Sequence, residues 1–181
     1  MHSSQIMQPQ FRNRHNFMIF GGFLLKQTFE LAFTCCANFC HARPRFLSLD
    51  PSTFENPVPV GSVLYLTATI AYTDPPLIQN RGDANIDAAD KEDANEHAAT
   101  QTRVQVRIDS KVRNIEHGET KPTGQFNYTF LVDKNIKIMP QTYSEFMIWV
   151  DARRRAENVR ACIEDSSMVV EAKHVAAQAQ E

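Results

Sequence analysis

"HNFMIFGGFLLKQTFELAF", residues His15 to Phe33, places two adjacent glycines, Gly21 and Gly22, at the mouth of an apolar run and one carboxylate, Glu30, inside it. The spacing predicts a helix from Gly21 to about Phe39, with Phe23, Leu24, Leu25, Phe29, Leu31 and Phe33 distributed over every face. A helix apolar all round is no surface helix; something must wrap it. Arg43-Pro44-Arg45 stops it, because proline cannot continue the backbone ladder.

The flanking segments supply the wrapping. Residues 3–8 (SSQIMQ) suit a short strand, and Phe46–Asp50 another. "FENPVPVGS" forms an edge or turn, since Pro57 and Pro59 have no N–H to donate. "VLYLTATIAY" (Val63–Tyr72) is rich in β-branched and aromatic residues and is the strongest strand candidate. Val104, Val106 and Ile108 alternate with Gln105, Arg107 and Asp109, as do Phe126, Tyr128 and Phe130 with Asn127 and Thr129. That period of two marks half-buried antiparallel strands, with a turn at His117-Gly118-Glu119. Between them, residues 74–102 carry seven acidic side chains against Arg81 and Lys91, a net charge of −5 that leaves about +3 on the rest. With so few large apolar groups this stretch is expected to be a disordered insertion. Pro140–Arg155 has the pattern of a short amphipathic helix; residues 156–181 form a polar tail, helical or frayed. One antiparallel sheet curled around one apolar helix satisfies these burial requirements. The expected fold is therefore α+β, a single hotdog domain over residues 3–155.

Composition excludes several classes. A net charge of −2 and a pI near 6.3 argue against a nucleic-acid partner, and Arg153-Arg154-Arg155 reads as a solvated helix face. Cys35, Cys36, Cys40 and Cys162 lack zinc-site spacing; buried free thiols in a reducing compartment are expected, with no bound metal. No apolar run reaches the roughly 20 residues of a membrane span, and the first fifteen residues contain no signal-peptide core. Neither a G-x-S-x-G elbow nor a phosphate-binding glycine loop occurs.

Three segments carry a resemblance: "RNRHNFMIFGGFLLKQTFELAF", "RPRFLSLDPSTFENPVPVGSVLYLTATIAYT" and "PQTYSEFMIWVDARR". In that order they resemble the second hotdog repeat of the mitochondrial acyl-coenzyme A thioesterase nine family, over residues 4–73 and 103–155. The resemblance implies hydrolysis of fatty acyl-CoA to free acid and coenzyme A. It implies no cofactor beyond the coenzyme A of the substrate, a homodimer or pairing with another hotdog unit, and a mitochondrial location (otherwise cytoplasmic). Two departures stand out. Family members usually carry two repeats where this chain has one. Relatives often place Asn or Asp a few residues before the double glycine, where here Asn16 stands five before Gly21 and Phe17 and Met18 fill nearer positions. A non-catalytic hotdog half that binds a partner, or acyl-CoA without turnover, is the alternative.

Thioester hydrolysis needs a donor for the developing oxyanion and a group that orients or deprotonates water. The first N–H groups of a helix are unpaired and lie at its positive end. Gly22 N–H can then hold the carbonyl oxygen, Gly21 beside it admitting the substrate; the same glycines would equally permit a tight strand-to-helix turn. Glu30, eight residues beyond Gly22, lies roughly 12 Å further along the axis. One copy cannot use both around one carbonyl, but two copies with antiparallel helices can. Glu30 is then the base, in a buried position that raises its pKa, or the buried ion-pair partner of Lys26, or simply an exposed side chain. Asn16 would position water or substrate, or serve as a turn residue. Arg103 and Arg107 would meet the coenzyme A phosphates, or else belong to the wet face of the sheet.

Overall fold

This computed structural model describes residues 1–14, 17–74 and 101–178, with side chains described through residue 161. The chain divides into two units, Met1–Met139 and Pro140–Glu181.

The first unit contains β1 (His2–Ile6), a 3-10 turn (Pro9–Phe11), α1 (Gly21–Cys40), β2 (Arg45–Leu49), β3 (Val63–Asp74), β4 (Thr102–Arg113) and β5 (Thr120–Val132). The five strands form one sheet in the order β1-β3-β4-β5-β2, every neighbouring pair antiparallel. The expected alternation holds: Val104, Val106, Ile108 and Val112 of β4 join Phe126, Tyr128 and Phe130 of β5 in one core with α1. Arg103, Arg107, Asp109 and Lys111 therefore stand on the opposite face of the sheet. Phe126 and Phe130 are almost wholly buried, each stabilising the fold by about 1.5–3 kcal/mol relative to exposure. The expected turn is present, with Gly118 at φ +66°. Of the acidic stretch, Asp74 ends β3 and Thr102 opens β4; residues 75–100 lie outside the described residues.

The helix corrects the expectation of an apolar surface on every side. Leu24, Thr28, Leu31, Ala32, Cys35 and Cys36 are buried, but Gly22, Lys26, Glu30, Thr34 and Asn38 run along an exposed stripe. The sheet wraps α1 on its buried side and flanks, where Phe23, Leu25, Phe29 and Phe33 are partly covered. Phe20 is its N-cap and makes no side-chain cap. The helix ends at Cys40, ahead of Pro44, where His41 turns left-handed at φ 48°. Lys134 Nζ donates to the Cys40 and His41 carbonyls at 3.1 and 2.7 Å, satisfying orphan acceptors of the last turn.

The proline-rich segment is a clamp on the helix run-in. Ile19 N–H donates to Val58 O (2.8 Å), Val60 N–H to Phe17 O (3.2 Å), and Gly61 N–H to Met7 O (2.8 Å). At the start of this segment, the chain runs along the stretch of β5 that β2 leaves uncovered, with Glu55 N–H donating to Thr123 O at 2.8 Å. This approach requires Gly124, where a Cβ would stand 2.9 Å from the Thr53 carbonyl oxygen.

The second unit is one helix, α2 (Tyr143–Gln178), much longer than the short helix expected and continuous through the polar tail. Thr142 and Glu145 form a capping box: Glu145 N–H donates to Thr142 Oγ1 at 3.3 Å, and Gln141 and Thr142 N–H donate to Glu145 Oε2 at 2.9 and 3.2 Å. Asp151 pairs with Arg154 and Arg155, and Arg153 with Glu157, so the arginine triplet is tied into the helix surface.

Candidate functional site

The two glycines open α1 between two aromatic rings. A Cβ on Gly21 would lie 3.4 Å from the Phe54 ring, and one on Gly22 only 2.5 Å from Phe20 Cε1. Phe54 is backed by Phe126, ring centroids 5.5 Å apart, and Phe23 of the first turn stacks on Phe11 at 3.9 Å. The Phe20 carbonyl accepts from Phe23 and Leu24 N–H, which begins the ladder. Among the described residues, the N–H groups of Gly21 and Gly22 have no hydrogen-bond partner. Two donors at the positive end of a twenty-residue helix, with Gly22 exposed, form a place where a developing negative charge is stabilised.

Of the readings weighed for Glu30, the structure shows the pair with Lys26, formed in solvent and not in a buried position. The Glu30 side chain is 54% exposed, Oε1 lies 3.7 Å from Lys26 Nζ, and Oε2 accepts from Gln27 Nε2 at 3.4 Å. The reason is its place in the exposed stripe, two turns beyond Gly22. An ion pair this open contributes about 0.3–0.5 kcal/mol. Asn16 and His15 lie outside the described residues.

The arginines are not brought to the glycines. Arg103 and Arg107 occupy the sheet face away from α1, and the Arg107 guanidinium holds Asp109 in a two-pronged pair, Nη2–Oδ1 2.8 Å and Nε–Oδ2 3.1 Å. A cavity of about 350 Å³ there is lined by Glu55, Arg107, Asp109, Lys111 and Gln125 among others. Two carboxylates against two cations blunt its attraction for phosphate. Among the described residues no group of three or more His, Cys, Asp or Glu side chains is arranged to hold a metal, and no helix is long and apolar enough to cross a membrane.

Several features escaped the sequence reading. The Phe54 ring lies against Gly21, a contact between segments far apart in the chain that no periodicity reveals. Thr28 Oγ1 and Tyr128 Oη, 2.7 Å apart, join helix to sheet in the core, and Thr28 also donates to Leu25 O at 2.9 Å. Burial pushes the Tyr128 phenol above its ordinary pKa, with the Thr28 hydrogen bond opposing. A threonine at a core-facing helix position opposite a strand tyrosine was the available signal.

No family model matches the chain. Among curated proteins it is 31% identical over 160 residues to mitochondrial acyl-coenzyme A thioesterase 9 of Bos taurus, covering 88% of this chain and 30% of that protein. This chain thus spans about a third of the length of that relative. Among solved structures, the acyl-CoA hydrolase of Staphylococcus aureus in complex with butyryl coenzyme A, coenzyme A and coenzyme A disulfide superposes with a TM-score of 0.68 at 18% identity, over 94% of this chain and 92% of that one. An apo-hexameric acyl-CoA thioesterase gives 0.67 at 21%, over 90% and 92%. Likeness at such low identity establishes the architecture, and that architecture is the hotdog fold.

Proposed function

The chain is a relative of the mitochondrial acyl-coenzyme A thioesterase 9 family, and from that kinship we propose that it hydrolyses fatty acyl-CoA thioesters to free fatty acid and coenzyme A. The observation that carries the proposal is the helix start, where the N–H groups of Gly21 and of exposed Gly22 have no partner among the described residues. In the proposed mechanism the thioester carbonyl docks on Gly22 N–H, and its oxygen gains negative charge as water attacks. Glu30 of a second hotdog unit takes the proton from that water, and Asn16 positions water or substrate. The exposed stripe through Gly22, Lys26 and Glu30 is the face such a unit would cover. Covering it would strip bulk water from around Glu30 and leave it facing the glycine end of the other helix. Glu30 would then have to exchange its bond to Lys26 for one to water. Coenzyme A enters only as part of the substrate, and the mitochondrial name of the relative supports placing this chain in that organelle.

A second reading has its own support. Glu30 is tied to Lys26 in solvent. That suits a hotdog unit that pairs with another hotdog unit, or binds acyl-CoA, without turnover. Thiol release from a series of acyl-CoAs, measured on the purified chain beside its native mass, separates the two. Hydrolysis by a dimer supports the enzyme; a monomer that releases no thiol supports the silent half.

A further inference from the structure

Cys36 and Cys40 are four residues apart on α1, so their side chains lie one above the other on the buried face. Their sulfurs are 3.9 Å apart, and the two residues are 0% and 2% exposed. Helix geometry sets their Cα atoms about 6 Å apart, within the roughly 4.4–6.8 Å that a disulfide spans. Their Cβ atoms stand about 5–6 Å apart, wider than the roughly 3.5–4.5 Å it needs, so bridging requires the last turn of α1 to distort. Cys35 is also buried, but its neighbouring position turns it about 100° around the axis from Cys36. Cys40 closes the helix at the left-handed cap His41, and the Lys134 ammonium sits on the Cys40 and His41 carbonyls.

We propose that Cys36 and Cys40 form a dithiol site which hydroperoxides oxidise to a disulfide within the last turn of α1. The Cys40 sulfur attacks the peroxide, taking one oxygen as a sulfenic acid and releasing water or an alcohol. The Cys36 sulfur then attacks Cys40, the S–S bond forms, and the sulfenic oxygen leaves as water with the remaining proton. Two thiols lose two electrons in all, and one peroxide O–O bond is reduced. Cys40 is the attacking partner on electrostatic grounds. The hydrogen bond shared with Cys36, and behind it the Lys134 ammonium, hold the Cys40 thiol below the ordinary cysteine range against the opposing effect of burial. The same hydrogen bond, with burial, pushes the Cys36 thiol up. Access comes from the helix terminus, the part of a helix that opens most readily. Bridging draws the sulfurs from 3.9 Å to about 2 Å, which tightens that last turn.

The test uses the reduced full-length chain, exposed to hydrogen peroxide under native conditions, then denatured, blocked with N-ethylmaleimide and weighed. Of its four cysteines, two should escape labelling with a loss of two hydrogens, and fragmentation should place the bridge between Cys36 and Cys40. Cys35→Ser should keep the bridge, while Cys36→Ala and Cys40→Ala should each abolish it. Wild-type protein that keeps every thiol free, or whose bridge involves Cys35 or Cys162, overturns the proposal without reliance on any variant's folding.

Discussion

The ring of Phe20 lies against Gly22 so closely that a Cβ on the glycine would stand 2.5 Å from Phe20 Cε1. The same ring is 57% exposed and has solvent to swing into. Gly22→Ala therefore gains about 1 kcal/mol of helix propensity and spends a comparable amount displacing Phe20. The melting temperature should move by only a few degrees. Thiol release, which depends on unobstructed approach to Gly22 N–H, should fall about 10- to 100-fold. Unchanged turnover in this variant would remove Gly22 from the proposed site.

The Thr28–Tyr128 pair is buried and mutually satisfied. Thr28→Val leaves the phenol with only a 3.4 Å contact to Leu25 O and should cost about 1–3 kcal/mol in urea unfolding. Adding Tyr128→Phe should recover part of that loss, giving a coupling of about 0.5–3 kcal/mol. Strict additivity would show that the hydroxyls do not act together.

Gly124→Ala meets backbone, the Thr53 carbonyl, and that oxygen cannot swing aside as a ring can. A loss of about 1–3 kcal/mol is expected from the forced shift. Movement of this segment would loosen Phe54 over Gly21, so turnover should fall with stability. A neutral melting curve would contradict the close approach.

Much of this architecture was legible in the chain. Period-two runs at Val104–Ile108 and Phe126–Phe130 face the core, and the glycine pair opens the helix. What misled was α1 itself. Phe23, Leu25, Phe29 and Phe33 made the helix look apolar all round, yet they are its half-covered flanks, and the narrow stripe between them holds Lys26 and Glu30. Composition cannot distinguish a flank from a buried face when both are phenylalanine. The length of α2 was hidden for the opposite reason, since a polar, alanine-rich tail has helix propensity but no apolar stripe to mark it. The T-Y-S-E stretch, part of the resemblance, proved to be the capping box of that helix.

That capping box makes α2 sensitive to acid. Backbone N–H groups of Gln141 and Thr142 hold the Glu145 carboxyl below the ordinary carboxylate range. A group whose folded pKa is lowered contributes stability fully present above its unfolded value, and loses it as pH falls through the folded one. Helix content followed by circular dichroism should therefore drop as pH falls below about 4.3. Glu145→Gln should remove that part of the titration; an identical titration in the variant would contradict the assignment.

The account rests on a site assembled from the glycine end of one hotdog unit and Glu30 of another, and complementation tests this most directly. Gly22→Val and Glu30→Gln chains, each inactive alone, are unfolded together, refolded and assayed for thiol release. Random pairing into two-fold dimers makes about half of them mixed, each with one intact site, so activity should return to about a quarter of wild type. A refolded mixture that forms mixed dimers and stays as inactive as its components would contradict the shared site.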